Sequence, residues 1–221
     1  MDDKLQKKLS KLDVTIFGKK NIEDSLAMLY HENSKFNKYK LRKDGERIEA
    51  FNSPYVIARA AQPYKIYPAN VSIDLSLYKM APKVTLHEVL TFRRSLRQYN
   101  ENYKISLNEI AYVLYNSYGV TKTFKIADSF EVDGNWGLRN VPSAGGLYPL
   151  ELYIVVLNGH ISSGLYHYRS DTNALELIKE GNFRDYLREN MQCEPYVNIS
   201  TASAVIFSTG IFERVAIKYG D

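Results

Sequence analysis

The sequence predicts an α+β fold in which helices precede an antiparallel meander. Two observations carry the prediction. Residues 84–119 hold two helix starts with complete capping signals, and after Pro149 the apolar pattern changes to short runs of strand period separated by turn residues. At 221 residues, the chain has the size of one core-forming unit with an N-terminal appendage.

Taken in order, residues 1–50 are lysine-rich, with a helical patch around Ile22 to Tyr30. From Phe51 to Pro82, Pro54, Pro63, Pro68 and Pro82 punctuate short extended pieces such as Tyr64-Lys65-Ile66-Tyr67, which argues against long helices or central strands. This stretch is expected to wrap over the main body, so that residues 1–83 form an extension and residues 84–221 the domain proper. Thr85-Leu86-His87-Glu88 is a capping box with Val84 and Val89 as its staple, and Ser106-Leu107-Asn108-Glu109 repeats it with Ile105 and Ile110. Ile110, Ala111, Leu114 and Tyr118 mark one apolar face, and Gly119 is expected to close that helix in a left-handed cap. Glu151 to Leu157, Gly164 to Arg169 and Leu175 to Ile178 read as meander strands, with Asn158-Gly159 as a hairpin-type turn. A short helix is expected over Asn182 to Glu189, a buried strand over Ala202 to Ser208, and a further helix from Ile211 to Tyr219.

Composition narrows the function classes. With 45% hydrophobic and 24% charged residues, the chain is ordinary globular material, which excludes a disordered or collagen-like polymer. Apolar runs such as Leu152 to Leu157 fall far short of the roughly 18 residues that span a bilayer. The charged start Met1-Asp2-Asp3-Lys4 is unlike a secretory signal, and the single cysteine, Cys193, cannot form an internal disulfide, so a soluble cytoplasmic protein is expected. His31, His87, His160 and His167 lack HExxH or CxxC company; they read as surface or packed residues, and no metal is expected. The net charge of +4 is small, and the run Lys35, Lys38, Lys40, Arg42 and Lys43 around Tyr39 reads as a solvated face rather than a nucleic-acid stripe.

Three constellations carry chemistry. Arg93-Arg94-Ser95-Leu96-Arg97 offers fixed, permanently charged guanidinium forks suited to a phosphate, although basic residues after a helix also complement its macrodipole. Pro142-Ser143-Ala144-Gly145-Gly146 gives a backbone that a flat ring or phosphate can approach closely, with a plain turn as the alternative. Lys218-Tyr219 can act as base and acid, but only where the lysine is shifted from its ordinary pKa of about 10.4; as an isolated dipeptide it carries little information.

The order RRSLRQY, SYGV, PSAGGLYPLELYIVV, GLYHYRSDTNALELI and VAIKYGD resembles the flavin-dependent nitroreductase superfamily, and within it the SagB-type, thiazole- or oxazole-forming azoline dehydrogenases. The resemblance covers roughly residues 84–221, with a hint of the family's N-terminal extension in Leu29-Tyr30-His31-Glu32-Asn33-Ser34. It implies a nitroreductase-like α+β fold, a central, mainly antiparallel sheet flanked by helices, incomplete at the C-terminus because the family continues beyond the position of Asp221. It implies FMN held through Arg93, Ser95 and Arg97, with Arg94 adjacent, and Pro142, Ser143, Ala144 and Gly145 beside its ring. Lys218 and Tyr219 fall on the proton-transferring pair. The implied activity is oxidation of azolines in a precursor peptide by a homodimer working with cyclodehydratase subunits. A general NAD(P)H-dependent nitroreductase or flavin reductase, and a non-catalytic subunit of the azole synthetase, are the alternatives.

Overall fold

The computed structural model describes residues 25–35, 64–67, 71–78, 83–125 and 135–219, with isolated positions 39, 42, 45, 49, 53 and 56. The chain divides into two compact units, residues 1–47 and 48–221. In the first, α1 (Leu26–Ser34) starts at Ser25, whose hydroxyl accepts from Met28 N at 3.2 Å, and Lys35 pairs with Glu32 at 2.5 Å. Ile22, where the expected helical patch begins, and Pro54, Pro63, Pro68 and Pro82 lie outside the described residues.

The second unit is built on a five-stranded antiparallel sheet. The strands β1 (Ser72–Asp74), β4 (Leu150–Val156), β5 (Gly164–Arg169), β6 (Ala174–Glu180) and β7 (Ala204–Gly210) stand in the order β1-β6-β5-β4-β7. A separate hairpin joins β2 (Val120–Lys125) to β3 (Asn135–Arg139). The three-residue β1, from the proline-punctuated stretch, sits at an edge, where few ladder donors are needed. The helices are α2 (Leu86–Phe92), α3 (Leu107–Tyr118), α4 (Arg184–Asn190) and α5 (Glu213–Tyr219).

Both expected capping boxes form: Glu88 N donates to Thr85 Oγ1 and Glu109 N to Ser106 Oγ, each at 3.2 Å, while the glutamates reach back to the cap amides. Helix α3 buries Ile110, Ala111 and Leu114 against Ile154, Val156, Tyr166, Tyr168 and Leu175 on one face of the sheet. Each large apolar side chain so buried is worth about 1.5–3 kcal/mol. The other face divides along the strands: Val155 meets Leu187 of α4 and Ile199 at one end, and the other end carries Glu151, His167 and Glu176.

Three local expectations change. The strand expected to be buried over Ala202 to Ser208 is β7, an edge strand none of whose residues is fully buried. Gly119 is not left-handed; its φ of −69° and ψ of 152° are extended because the chain passes directly from α3 into β2. Glycine is needed there for space, since a Cβ would overlap Tyr115, whose carbonyl accepts Gly119 N at 2.7 Å. Nor is Asn158-Gly159 a two-residue hairpin turn, because β4 and β5 are separated by residues 157–163. Asn158 instead donates through Nδ2 to the carbonyls of Glu101 and Tyr103, tying that connection to the start of α3. Among the described residues, no helix is long and apolar enough to cross a membrane.

Candidate active site

Positive φ angles cluster in the turn Ser143–Pro149. Gly145, Gly146 and Tyr148 have φ of 62°, 66° and 42°, so three residues of four occupy the left-handed region, and for Tyr148 that conformation carries a steric cost. Side chains hold it there. Tyr148 N donates to Ser143 Oγ at 2.9 Å, Arg139 N donates to Tyr148 Oη at 2.9 Å, and Leu150 N donates to Tyr118 Oη at 3.2 Å. The Arg139 guanidinium lies within an aromatic box, 4.2 Å from the ring of Tyr118, 4.9 Å from Tyr148 and 5.4 Å from Tyr64. Burial lowers the Arg139 pKa, and burial raises those of Tyr118 and Tyr64 while the cation opposes that rise.

Helix α5 brings the chain's last described residues onto this turn. A Cβ added to Gly145 would lie 3.2 Å from Lys218 Nζ and 3.1 Å from Tyr219 Oη. A Cβ on Gly146 would lie 3.0 Å from Trp136 Nε1. The absence of side chains at Gly145 and Gly146 thus lets an amine, a phenol and an indole pack directly against the turn. Two of the three constellations singled out in the sequence, remote from each other along the chain, meet here.

Beneath them runs a row of buried charges that crosses β4, β5 and β6. Arg214 Nη2 lies 2.6 Å from Glu151 Oε1, Glu151 Oε2 is 2.8 Å from His167 Nε2, and His167 Nδ1 is 3.0 Å from Glu176 Oε2. Glu176 Oε1 accepts from Arg169 Nη1 at 3.0 Å, and Arg169 also grips Asp171 at 2.5 Å. Tyr67 N donates to Glu176 Oε2 at 3.2 Å. Its hydroxyl lies 3.1 Å from that of Tyr153, to which Lys65 Nζ donates, also at 3.1 Å. Burial pushes the Glu151 carboxyl up, but the His167 hydrogen bond and the Arg214 cation outweigh it and hold it below the ordinary range. Asp171 is likewise depressed, burial being overcome by Arg169. Glu151 and Glu176 meet opposite nitrogens of one ring, so they do not converge on a metal position, and no group of metal ligands occurs among the described residues.

The arginine segment follows α2 as exposed, non-helical chain. Arg94 Nη1 donates to the carbonyls of Thr91 and Arg93, and Arg97 Nη1 to that of Ser95. Its longer-range contacts run to the stretch after α4: Asn198 N donates to Arg97 O at 3.1 Å, and the Arg97 guanidinium lies 5.4 Å from the Tyr196 ring. Sequence reasoning passed over Glu151, Glu176 and Arg214, and read His167 as only a surface or packed residue. The available signal was a carboxylate inside each of two apolar strands, Leu150–Val156 and Ala174–Glu180, flanking a strand with an interior histidine.

A five-stranded antiparallel sheet with α3 on one face, and a glycine turn against which a Lys-Tyr pair packs, defines an α+β protein. Residues 90–221 match the sequence model of the nitroreductase family, and the chain belongs to that family. A Methanocaldococcus jannaschii protein bearing a nitroreductase name is 29% identical over 140 residues, which are 63% of this chain and 63% of that one. A crystal structure from Anabaena variabilis ATCC 29413, also bearing a nitroreductase name, superposes with a TM-score of 0.60 at 26% identity, covering 88% of this chain and 34% of that one. The chain therefore spans under two thirds of the length of either relative. The fold is the nitroreductase-like α+β architecture.

Proposed function

We propose that the chain is an FMN-dependent oxidoreductase that oxidises thiazolines or oxazolines of a precursor peptide to thiazoles or oxazoles. The observation that carries this reading is the approach of Lys218 and Tyr219 to the backbone of Gly145. The residues present fit FMN by their donor chemistry: exposed guanidiniums for a phosphate, and paired left-handed glycines that let other groups approach the backbone closely. Arg93, Arg94, Ser95 and Arg97 would hold the phosphate, ribityl chain and pyrimidine edge, and Pro142 to Gly145 would lie beside the ring. FMN, when bound, would supply the acceptor for a hydride and its electron pair, with dioxygen as the final oxidant.

The chain's own part is position and proton transfer. Aromatising an azoline removes two hydrogens, one as hydride and one as a proton. The proton would pass to Lys218 or Tyr219, the two groups that stand against the turn. Both groups stand against the turn proposed to border the ring.

Exposed apolar side chains on α2, with Leu86, Leu90 and Phe92 each more than 70% accessible, support a homodimer. A cyclodehydratase that makes the azoline would supply the peptide.

The test is a visible absorbance spectrum after FMN addition, followed by mass spectrometry of an azoline peptide for loss of two hydrogens. Lys218→Ala is expected to lower azole formation by about 100- to 10,000-fold while retaining flavin. Unchanged turnover in that variant removes Lys218 from the mechanism, and a wild-type chain that takes up no flavin overturns the cofactor. The names of the two relatives favour a second reading, nitro reduction, for which reduced nicotinamide would be the electron source. Rapid bleaching of the flavin by NAD(P)H, with no azole formed, selects it.

A further inference from the structure

We infer that Arg214 and Glu151 are a positioning pair that sets where Lys218 and Tyr219 stand over the glycine turn, an inference that rests on the function proposed above. Helix α5 has seven residues and buries none of them fully. A helix that short is unstable on its own, so its placement comes from its attachments. Two of them reach the turn's own backbone: Ile211 N donates to Pro149 O at 2.8 Å, and Arg214 Nη1 donates to Tyr148 O at 3.1 Å. A further one is the 2.6 Å contact of Arg214 Nη2 with Glu151.

Arg214 precedes Lys218 by four residues, so both lie on the same helical face, about 6 Å apart along the axis. Fixing the guanidinium fixes both the rotation of α5 and its register. The anchor is stiff. Glu151 is 4% exposed on a strand paired on both sides, and its second oxygen is held by His167, which Glu176 holds in turn. One side chain thus spans the turn carbonyl and the buried charge row, which suits the fixed fork of arginine and not the single ammonium of lysine. Arg214 is a positioning residue; it acts through Lys218 and Tyr219.

The test compares the full chain with Arg214→Lys and Glu151→Gln by hydrogen exchange, by amine labelling of Lys218, and by kinetics on an azoline peptide. Arg214→Lys is expected to speed exchange in residues 211–219 by about tenfold while residues 107–118 keep wild-type rates, and to change the labelling rate of Lys218. It is expected to lower kcat by about tenfold with KM and flavin affinity within about twofold, the pattern of a misplaced proton acceptor. Glu151→Gln is expected to move the same readouts in the same direction. Unchanged exchange and labelling in both variants overturns the inference. So does exchange in residues 107–118 rising as much as in 211–219, which would make the pair a general stabiliser. Should the wild type leave azolines untouched while α5 still loosens, the proposed activity fails and the attachment of α5 stands.

Discussion

Nε2 of His167 lies 2.8 Å from Oε2 of Glu151, and the two residues are 1% and 4% exposed. The ring's other nitrogen faces Glu176 at 3.0 Å, so both contacts are donations only when each nitrogen carries a hydrogen. Removing the ring leaves two buried carboxylates facing an empty space. His167→Ala is therefore expected to lower stability in urea unfolding by about 1–3 kcal/mol for each buried carboxylate oxygen that loses its hydrogen-bond partner. His167→Gln, whose amide can still donate to one carboxylate, should lose less. A loss below about 1 kcal/mol for the alanine variant would show that the row is not a stabilising unit.

The same row makes the protein acid-sensitive. Glu151 and Asp171 titrate below their ordinary values of 4.5 and 3.8 in the folded chain. A carboxyl depressed in the folded state contributes stability that is complete above its unfolded pKa and is lost as pH falls through its folded one. Melting temperature should hold steady toward neutrality and fall from about pH 5 downward. Glu151→Gln should melt lower at neutral pH and show a flatter acid limb. Parallel limbs in wild type and variant would mean that other carboxyls govern the loss.

Exposure of α2 gives a test of assembly. Leu90 is 73% exposed on a seven-residue helix with no buried residue. Covering one such side chain contributes about 1.5–3 kcal/mol, so Leu90→Glu should weaken self-association by about 10- to 100-fold in sedimentation equilibrium. Wild-type chain that stays monomeric at all concentrations would remove the homodimer.

What could be read from the residues divides by range. The capping boxes at Thr85 and Ser106 were legible because each is complete within four residues, and β5 was legible because its alternation and flanking turn residues lie within it. Gly119 was identified as special for the wrong reason, since crowding by Tyr115 depends on where the chain goes next. The β2–β3 hairpin carries threonine and lysine in Val120–Lys125, a pattern with little apolar alternation. Glu151, His167 and Glu176 are set side by side only by the registers Tyr153↔His167 and His167↔Glu176, which no local spacing encodes. Of the site, the glycine turn and Lys218-Tyr219 were legible as motifs, whereas the charge row beneath them, and Arg214 joining it to α5, depend on long-range pairing.

The contact between the glycine turn and α5 can be separated from the strain of the turn itself. Gly145→Ala places a side chain at φ of 62°, which costs about 1–2 kcal/mol in the left-handed region whatever surrounds it. The new Cβ also stands 3.2 Å from Lys218 Nζ and Cδ and 3.1 Å from Tyr219 Oη, closer than side-chain carbon normally packs, so α5 or its side chains must give way. Lys218→Ala removes part of that obstruction and none of the backbone strain. In urea unfolding the double variant should therefore be less destabilised than the sum of the singles, by more than the roughly 0.3–0.5 kcal/mol within which independent sites add. Gly145→Ala should also impair azole formation in the presence of Lys218, because the new methyl group displaces Lys218 and Tyr219. Strict additivity would place Lys218 away from the turn in solution, and with it the proton acceptor from the site proposed for the ring.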